Sequence, residues 1–368
     1  RGRATQATIA GGLPVKATFS YVLGAQKELF AADDSGIWDV TTSTPVSVYP
    51  GTTNGDWVVL QFSTAGATFL IGVNGVDDGF IYDGTTFWPY VAGGVFSLGV
   101  ASVPVLWVAG VTITGGTSGA TATIVSTATG VLYIRGITGT FQLAETLTAS
   151  VAGSTTVNAL AASVVPGPTG LASTSMSFVW AYKQRVYFIE KNTLDAWYLP
   201  VDQVGGTVTK LPLGGVFQRG GSLLFGQTWS LDTGGDGGLA EQVVFITTEG
   251  EVAAYQGLSP ADTATWGKVG TYQIGVPLGK KAWIRAGGDL VICTSIGFIP
   301  LGKAIQRDYA ALGQVAISNP IADEWALAVT ERGLTGWIAE LWPEGKMVLV
   351  SPPTPTGRQP ITFVSNSD

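Results

Sequence analysis

Histidine is absent from the 368 residues, and cysteine occurs once. The absence of histidine excludes Ser-His-Asp and Cys-His catalysis, together with the commonest kinds of zinc site. The single cysteine, Cys293, can form no internal disulfide, and its apolar surroundings LVICTSIGF predict a buried small hydrophobic residue. We therefore predict no catalytic, cofactor-binding or metal-binding residues, and we interpret the chain as a protein that is not an enzyme.

Charge is also scarce. Charged residues make up 12% of the chain, against roughly 25% in ordinary globular proteins. The net charge of -7 and the isoelectric point near 4.7 argue against tight binding of nucleic acid, and Arg1 and Arg3 are too few to form a DNA-binding arm. No apolar run reaches the roughly 18 residues of a membrane-spanning helix. The opening RGRATQATIAGG lacks the apolar core of a signal peptide, so we expect none.

Glycine and tryptophan, by contrast, are abundant, with 51 and 12 copies. One pattern recurs along the chain: two runs of β-branched and aromatic residues around a short turn of Asp, Ser, Asn or Gly, which is typical of a β-hairpin. Most neighbouring hairpins lie about 40 to 50 residues apart, the length of a four-stranded propeller blade. The sequence therefore predicts an all-β fold with a β-propeller-like body, and its hairpins lie at residues 28–42, 69–90, 185–200, 242–257 and 289–302.

Residues 103–165 differ from the rest, because they carry only two charges, Arg135 and Glu145, and alternate Thr and Val between Gly turns. This pattern predicts a small antiparallel β domain, closed by Pro166-Gly167-Pro168. We predict three parts: residues 1–102, the first part of the propeller body; 103–166, the inserted β domain; and 167–368, the second part.

The C-terminal region is less regular. It predicts a helix at residues 304–313, strands at 325–330 and 336–341, and a hairpin at Pro343-Glu344-Gly345. The ending ITFVSNSD predicts a strand followed by a turn. We expect the chain to be a piece of a longer protein, truncated at its C-terminus, since a propeller without its last strands leaves an open edge.

Several polar motifs are candidates for chemistry. Asp33-Asp34 and Asp77-Asp78 are paired carboxylates that could serve glycoside hydrolysis, although their place between two strands favours hairpin turns. Asp232 and Asp236 in DTGGDGG superficially resemble a calcium loop, but Gly234 stands where a ligand is needed, which favours a surface loop. The stretch GGVFQRGG at 214–221 lacks the strand and helix context of a nucleotide site.

Residues 178–308 carry a family resemblance. WAYKQRVYFIEKNTLDAWYLPVDQ, EQVVFITTEGEVAAYQG and GVPLGKKAWIRAGGDLVICTSIGFIPLGKAI resemble tail nozzle or hub virion structural proteins of short-tailed, podovirus-like bacteriophages. The inserted GGTSGATATIV and GITGTFQLAETLTAS resemble a small β module that recurs in phage tail proteins. Together these stretches cover about half of the chain. The continuation that the family has past SNSD is missing from this sequence.

The resemblance implies a propeller-containing subunit that assembles as a ring, commonly a homohexamer, around the DNA exit channel. It implies contacts with adaptor or portal-side proteins and with tail fibre proteins, and transient passage of double-stranded DNA without tight binding. The implied location is the virion tail, after assembly in the host bacterial cytoplasm. The family has no catalytic residues to carry over. An acidic wall fits such a channel, because it offers DNA phosphates no basic groups.

Three hypotheses follow. The leading one is a structural nozzle or hub ring that holds and conducts packaged DNA. The alternative is a glycan-binding or glycan-cleaving propeller-type tail protein that uses carboxylates with Trp38, Trp88 and Trp197, although core packing is favoured for these tryptophans because each lies in a strand run. The third is a head-tail connector or stopper.

Overall fold

A computed structural model of the chain describes residues 5–9, 11–232 and 239–366, with side chains described up to residue 230 and again from residue 241. The described chain is all-β, as predicted. Four of its sheets each contain four antiparallel strands joined largely in sequence order, and this repetition makes the fold β-propeller-like. No helix in the described ranges is long and apolar enough to cross a membrane.

The first two sheets are simple meanders, in which each strand pairs antiparallel with the next along the chain. One contains β1 (Ala17–Leu23), β2 (Gln26–Asp33), β3 (Gly36–Asp39) and β4 (Val46–Pro50). The other contains β5 (Val58–Ser63), β6 (Thr68–Val73), β7 (Gly79–Tyr82) and β8 (Phe87–Tyr90). The predicted hairpins at 28–42 and 69–90 are thereby confirmed.

A closed six-stranded barrel follows. Its strands are β9 (Val95–Val100), β10 (Thr112–Gly115), β11 (Thr121–Ala128), β12 (Val131–Thr138), β13 (Thr146–Ala149) and β14 (Ser154–Val165), in the order β10-β11-β12-β9-β14-β13. The predicted start of this domain at residue 103 is too late by one strand. The reason is that β9 pairs with both β12 and β14, and these partners lie far along the chain.

The barrel has its own apolar core, which includes Leu98, Trp107, Ile124 and Ile134.

The first and last residues of the barrel segment meet at a point where glycine is required. A Cβ on Gly94, whose φ is +87°, would lie 2.2 Å from the Val165 carbonyl oxygen and 2.9 Å from the Gly167 nitrogen. The chain therefore enters and leaves the barrel at adjacent points.

This closure predicts the outcome of two deletions. Removing residues 95–165 and joining Gly94 to Pro166 should leave the remaining sheets folded, because the join spans points that already lie together. Removing 103–165 should be worse, because β9 would keep the apolar Leu98 and lose both partner strands. Circular dichroism and thermal unfolding of the two variants test this. The prediction is contradicted if only the variant that lacks residues 103–165 unfolds cooperatively.

The middle of the chain forms two more four-stranded sheets. The first has the order β16-β17-β18-β20 and the second the order β21-β22-β23-β24, while β15 and β19 form a short parallel pair. The strands are β15 (Pro168–Thr169), β16 (Met176–Tyr182), β17 (Arg185–Glu190), β18 (Asp195–Tyr198), β19 (Gly206–Thr207), β20 (Thr209–Pro212), β21 (Leu223–Asp232), β22 (Leu239–Thr247), β23 (Glu251–Gln256) and β24 (Gly267–Gln273). The predicted hairpins at 185–200 and 242–257 are confirmed.

The C-terminal region contains two three-stranded sheets and three helices. These elements are β25 (Trp283–Ala286), β26 (Asp289–Cys293), β27 (Phe298–Pro300), α1 (Leu301–Ala304), α2 (Leu312–Val315), α3 (Ala322–Arg332), β28 (Ile338–Trp342), β29 (Met347–Ser351) and β30 (Phe363–Asn366). Short 3-10 turns occur at Ser173–Ser175, Tyr309–Ala311 and Asn319–Ile321. The predicted hairpin at 289–302, the strand at 336–341, the turn at Pro343-Glu344-Gly345 and the terminal strand are confirmed.

Two predictions for this region are wrong. Residues 325–330 lie in α3 rather than in a strand, because Trp325 and Ala328 are buried at helical spacing, with Asp323 and Glu324 in the first turn. The single helix predicted at 304–313 is replaced by α1, a 3-10 turn and α2. Asp308 has extended backbone, with φ -68° and ψ 151°, which interrupts the helix.

The chain divides into two compact units. The first comprises Arg1–Val179, Gln184–Val186 and Tyr198–Thr209, and the second comprises Trp180–Lys183, Tyr187–Trp197 and Lys210–Asp368. The first unit holds the barrel core and an aromatic core between the first two sheets, which includes Phe30, Trp57 and Phe80. The second holds a core that includes Cys293 and Trp325.

Candidate functional site

The acidic pair Asp33-Asp34 lies at the turn between β2 and β3. Asp33 is fully buried, and its Oδ1 accepts hydrogen bonds from the Ser35 nitrogen at 2.8 Å, the Ser35 hydroxyl at 2.6 Å and the Gly36 nitrogen at 3.1 Å. This is the local side-chain-to-backbone pattern that tight turns favour. Asp33 therefore shapes the hairpin, as the sequence indicated.

Asp34 faces outward and contacts other parts of the first unit. Its Oδ2 lies 2.6 Å from the Lys16 ammonium, and its Oδ1 accepts the Gly55 N–H at 2.9 Å. The hydrogen bond from Lys16, followed by the one from Gly55, holds the pKa of the Asp34 carboxyl below its usual value. Asp34 is therefore an ionised acceptor.

The second acidic pair, Asp77-Asp78, lies between β6 and β7 and reaches the same loop. Asp77 accepts hydrogen bonds from the Thr53 nitrogen and hydroxyl, the Asn54 nitrogen and the Asn74 amide, all within 3.1 Å. Burial alone raises the pKa of Asp77, but these donors outweigh it, and the net pKa lies below the usual value. Both acidic turns thus accept hydrogen bonds from the loop at 51–56.

Asp78 ties the second sheet to the barrel. Its Oδ2 accepts a hydrogen bond from the Arg135 guanidinium at 2.8 Å. In addition, Trp88 of β8 packs on Tyr133 of β12 with ring centroids 4.8 Å apart. Both contacts lie within the first unit, so the barrel is held by a charged pair and an aromatic pair as well as by its covalent ends.

These acidic turns are suited to holding structure rather than to acid catalysis. A glycosidase needs one carboxyl with a raised pKa to protonate the leaving group. The pKa values of Asp34 and Asp77 are shifted in the opposite direction, and their oxygens are occupied by donors of the protein itself. Neither carboxyl therefore has the raised pKa that such an acid needs. Among the described residues, no group of three or more Cys, Asp or Glu side chains is placed to hold a metal ion.

The tryptophans of the glycan alternative do not form exposed platforms. Trp88 is buried and donates its indole N–H to Asp83 at 2.9 Å. Trp197 is half-buried and donates to Glu190 at 2.9 Å. Trp38 is half-buried in β3. All three lie in strands, as predicted, but only Trp88 is buried in the core.

Cys293 is buried in the second core, and burial raises the pKa of its thiol well above the usual value. Its predicted role as a small hydrophobic residue is therefore confirmed. The stretch with Asp232 and Asp236, interpreted as a surface loop rather than a calcium loop, lies outside the residues whose side chains are described.

Sequence analysis missed two surface features. The first is an apolar groove in the second unit, with a cavity of about 210 Å³ lined mainly by aliphatic and aromatic side chains. Its wall includes Phe298, Trp325, Val348, Val350 and Phe363, and its rim includes Ile317 and Ile321, which are 43% and 41% exposed. We call this site the apolar groove.

The second feature is an apolar knob on the barrel, formed by Val105, Leu106 and Val108. These side chains are 94%, 58% and 58% exposed. The intervening Trp107 is buried in the barrel core, and its backbone N–H donates to the Pro104 carbonyl oxygen at 2.9 Å. The tryptophan therefore anchors a tight turn that presents its neighbours to solvent. The run VPVLWV contained this signal, since it places consecutive apolar residues outside any predicted strand.

No protein-family model matches the chain, and no curated protein matches it. Two similar solved chains are BBS1N in complex with ARL6DN, soaked with lead, and the same complex soaked with mercury. The first is 13% identical, covers 76% of this chain and 76% of its own, and has a TM-score of 0.31. The second is 13% identical, covers 73% and 71%, and has a TM-score of 0.27. Since both TM-scores are low, we draw no functional conclusion from either likeness.

Proposed function

We propose that this chain is a structural ring protein of a short-tailed bacteriophage tail, forming a nozzle or hub through which packaged DNA passes. The observation that carries the proposal is that one chain combines two kinds of β structure. Repeated four-stranded sheets accompany a separate closed barrel, and that barrel is built from the stretch that resembles a recurrent phage-tail module. The barrel is closed and has no free strand edge, and the four-stranded sheets are hydrogen-bonded antiparallel meanders.

The carboxylates support the same proposal. Asp34 and Asp77 serve as acceptors that fix loops, and Asp78 fixes the barrel through Arg135. A conduit needs this kind of rigidity, and it must release DNA. With a net charge of -7, the subunit offers phosphates little attraction, because DNA affinity comes chiefly from Lys and Arg that displace counterions. Adaptor or portal-side proteins and tail fibre proteins are the partners that such a ring would contact.

Assembly is the first test. We expect purified protein to form a closed ring of about 230 kDa, six copies of the 38.1 kDa chain, in light scattering, with six-fold symmetry in negative-stain images. In gel-shift assays, the ring should not retard double-stranded DNA at up to about 10 μM protein in about 50 mM salt. Gold-labelled antibodies should mark the tail of assembled phage particles. A stable monomer at these concentrations, or tight DNA binding, would contradict the proposal.

A further inference from the structure

Two Asn-Gly dipeptides occur in the chain, Asn54-Gly55 and Asn74-Gly75, and both lie in the first unit. Asparagine is among the thermolabile residues, and a following glycine has no Cβ to hinder attack of its backbone nitrogen on the asparagine side chain. Asn54 belongs to the loop at 51–56, and Asn74 to the turn between β6 and β7. Since the two dipeptides have the same covalent chemistry, any difference in their reactivity must come from the fold.

The backbone requires both glycines. A Cβ on Gly55 would lie 2.6 Å from the Asp33 carbonyl carbon, and Gly75 has φ +77°, in the left-handed region. Another residue at either position would therefore be strained, so the fold retains both susceptible dipeptides.

The Asn74 side chain is locked at both ends. It is 4% exposed, and its amide nitrogen donates to the Asn54 carbonyl oxygen at 2.7 Å and to Asp77 Oδ2 at 2.9 Å. Its oxygen accepts the Val76 and Asp77 N–H groups, each at 2.9 Å. Attack by the Gly75 nitrogen would disrupt these hydrogen bonds in a buried place, which makes it unfavourable.

The Asn54 side chain is held more loosely. It is half-buried, and its Oδ1 accepts the Asp56 N–H at 3.1 Å. No residue in the described part of the chain accepts a hydrogen bond from its amide nitrogen, which is the group that must leave. The adjacent Gly55 N–H, however, donates to Asp34 Oδ1 at 2.9 Å. In this dipeptide the fold therefore restrains the attacking nitrogen rather than the leaving group.

We propose that Asn54 is the asparagine that deamidates spontaneously in the folded protein, and that Asp34 slows this reaction. The Gly55 nitrogen attacks Asn54 Cγ, and a new N–C bond forms as the bond from Cγ to Nδ2 breaks. The amide proton of Gly55 and the NH₂ group leave together as ammonia, and a cyclic succinimide remains. Water then opens the ring to aspartate or isoaspartate. The reaction needs only water and takes place within one copy of the chain, so it does not depend on the proposed ring.

The Asp34 carboxylate slows the reaction through its charge. The Gly55 nitrogen must give up its proton when it attacks. The negative charge that develops on this nitrogen would face an ionised carboxylate oxygen at 2.9 Å, and like charges repel. Removing that oxygen should therefore speed the attack.

Deamidation would also loosen the loop at 51–56. Isoaspartate lengthens the backbone by one atom and adds a carboxylate to a loop that already contacts Asp34 and Asp77. The Asn54 N–H and carbonyl oxygen, which now bond to Asp77 and Asn74, would be displaced. We therefore expect aged protein to unfold at a lower temperature than fresh protein.

Peptide mapping by mass spectrometry tests the choice of site. Purified protein is aged in mildly alkaline buffer, both native and in concentrated urea, and the replacement of amide by acid is followed at Asn54 and Asn74. In urea the two should react at similar rates. In the native protein Asn54 should react at least about tenfold faster, because Asn74 must break more hydrogen bonds. Equal native rates, a faster reaction at Asn74, or no native reaction at either site would overturn the proposal.

Variants at the restraining contact test the role of Asp34. D34A removes the acceptor of the Gly55 N–H and should accelerate the reaction at Asn54 by about tenfold or more. The matched control K16A removes the ion pair with Asp34 but keeps that hydrogen bond, so it should change the rate less than about threefold. Circular dichroism should show both variants folded. Equal rates in D34A and K16A would overturn the role of Asp34.

A third variant, D34N, provides the test if D34A does not fold. It keeps an acceptor oxygen for the Gly55 N–H but carries no charge. The reaction at Asn54 should therefore be faster in D34N than in wild type and slower than in D34A. A rate equal to that of wild type would overturn the electrostatic restraint.

Discussion

The substitution Phe80→Ala should destabilise the first two sheets by about 3–5 kcal/mol. Phe80 is fully buried in β7, at the centre of the aromatic core. Its ring centroid lies 5.1 Å from that of Trp57 and 5.2 Å from that of Phe87. The ring also fills the space over Gly72, where a Cβ would lie 2.1 Å from it. Alanine would leave a cavity that the paired strands cannot close, and it would remove the edge and stacking contacts. Urea unfolding, followed by tryptophan fluorescence, measures the loss.

Leu29→Ala in β2 is the control for this variant. Leu29 is 37% exposed, so its truncation removes little buried surface and should cost less than about 1 kcal/mol. Similar losses for the two variants would show that the aromatic core does not hold these sheets together.

The substitution Glu145→Gln should destabilise the barrel by about 2–4 kcal/mol. The Glu145 carboxylate is 4% exposed and accepts hydrogen bonds from the Gln142, Ser118 and Thr117 nitrogens and from the Ser118 hydroxyl. An amide has one acceptor oxygen instead of two and turns its NH₂ group toward donors. Exposed Glu340 provides the control, since Glu340→Gln should be close to neutral. Thermal unfolding of the variants tests the difference.

The same carboxylate gives the barrel a defined pH dependence. Burial alone raises the pKa of Glu145, but the hydrogen bonds outweigh it, and the net pKa in the folded protein is lowered. The stabilisation that Glu145 contributes is therefore fully present above its pKa in the unfolded chain, about 4.3. It is lost as the pH falls through the lower pKa of Glu145 in the folded protein. Glu145→Gln should remove this acid-induced loss from the barrel. A variant whose stability falls in parallel with that of wild type below about pH 4 would contradict the assignment.

The hairpins were predictable because their information is local. In residues 28–42, for example, alternating apolar runs flank Asp33, and the same residue closes the turn in the structure. The start of the barrel was not predictable in this way, since β9 is placed by β12 and β14, whose residues lie 30 to 70 positions later. Local pattern carries no information about such distant pairing.

Helix α3 was misassigned although its signals were present. Trp325 and Thr330 suggested a strand, because aromatic and β-branched residues favour one. The acidic pair Asp323-Glu324 at the start and Gly333, with φ +87°, at the end are typical helix boundaries. For the candidate site, the role of Asp33 followed from sequence. The meeting of both acidic turns at the loop 51–56, and the groove itself, depend on contacts between distant segments.

The strand order of the barrel also has a consequence for synthesis. The first two sheets are complete when residue 90 has been made, and each can form from neighbouring hairpins. Strand β9 lacks its second partner until β14 ends at Val165, which takes about 4–14 s at roughly 5–20 residues per second. During that interval the apolar segment VFSLGV has an unpaired edge. Where several ribosomes translate one message, neighbouring nascent chains can offer the missing strand, so slower initiation should raise the yield of correctly paired barrels.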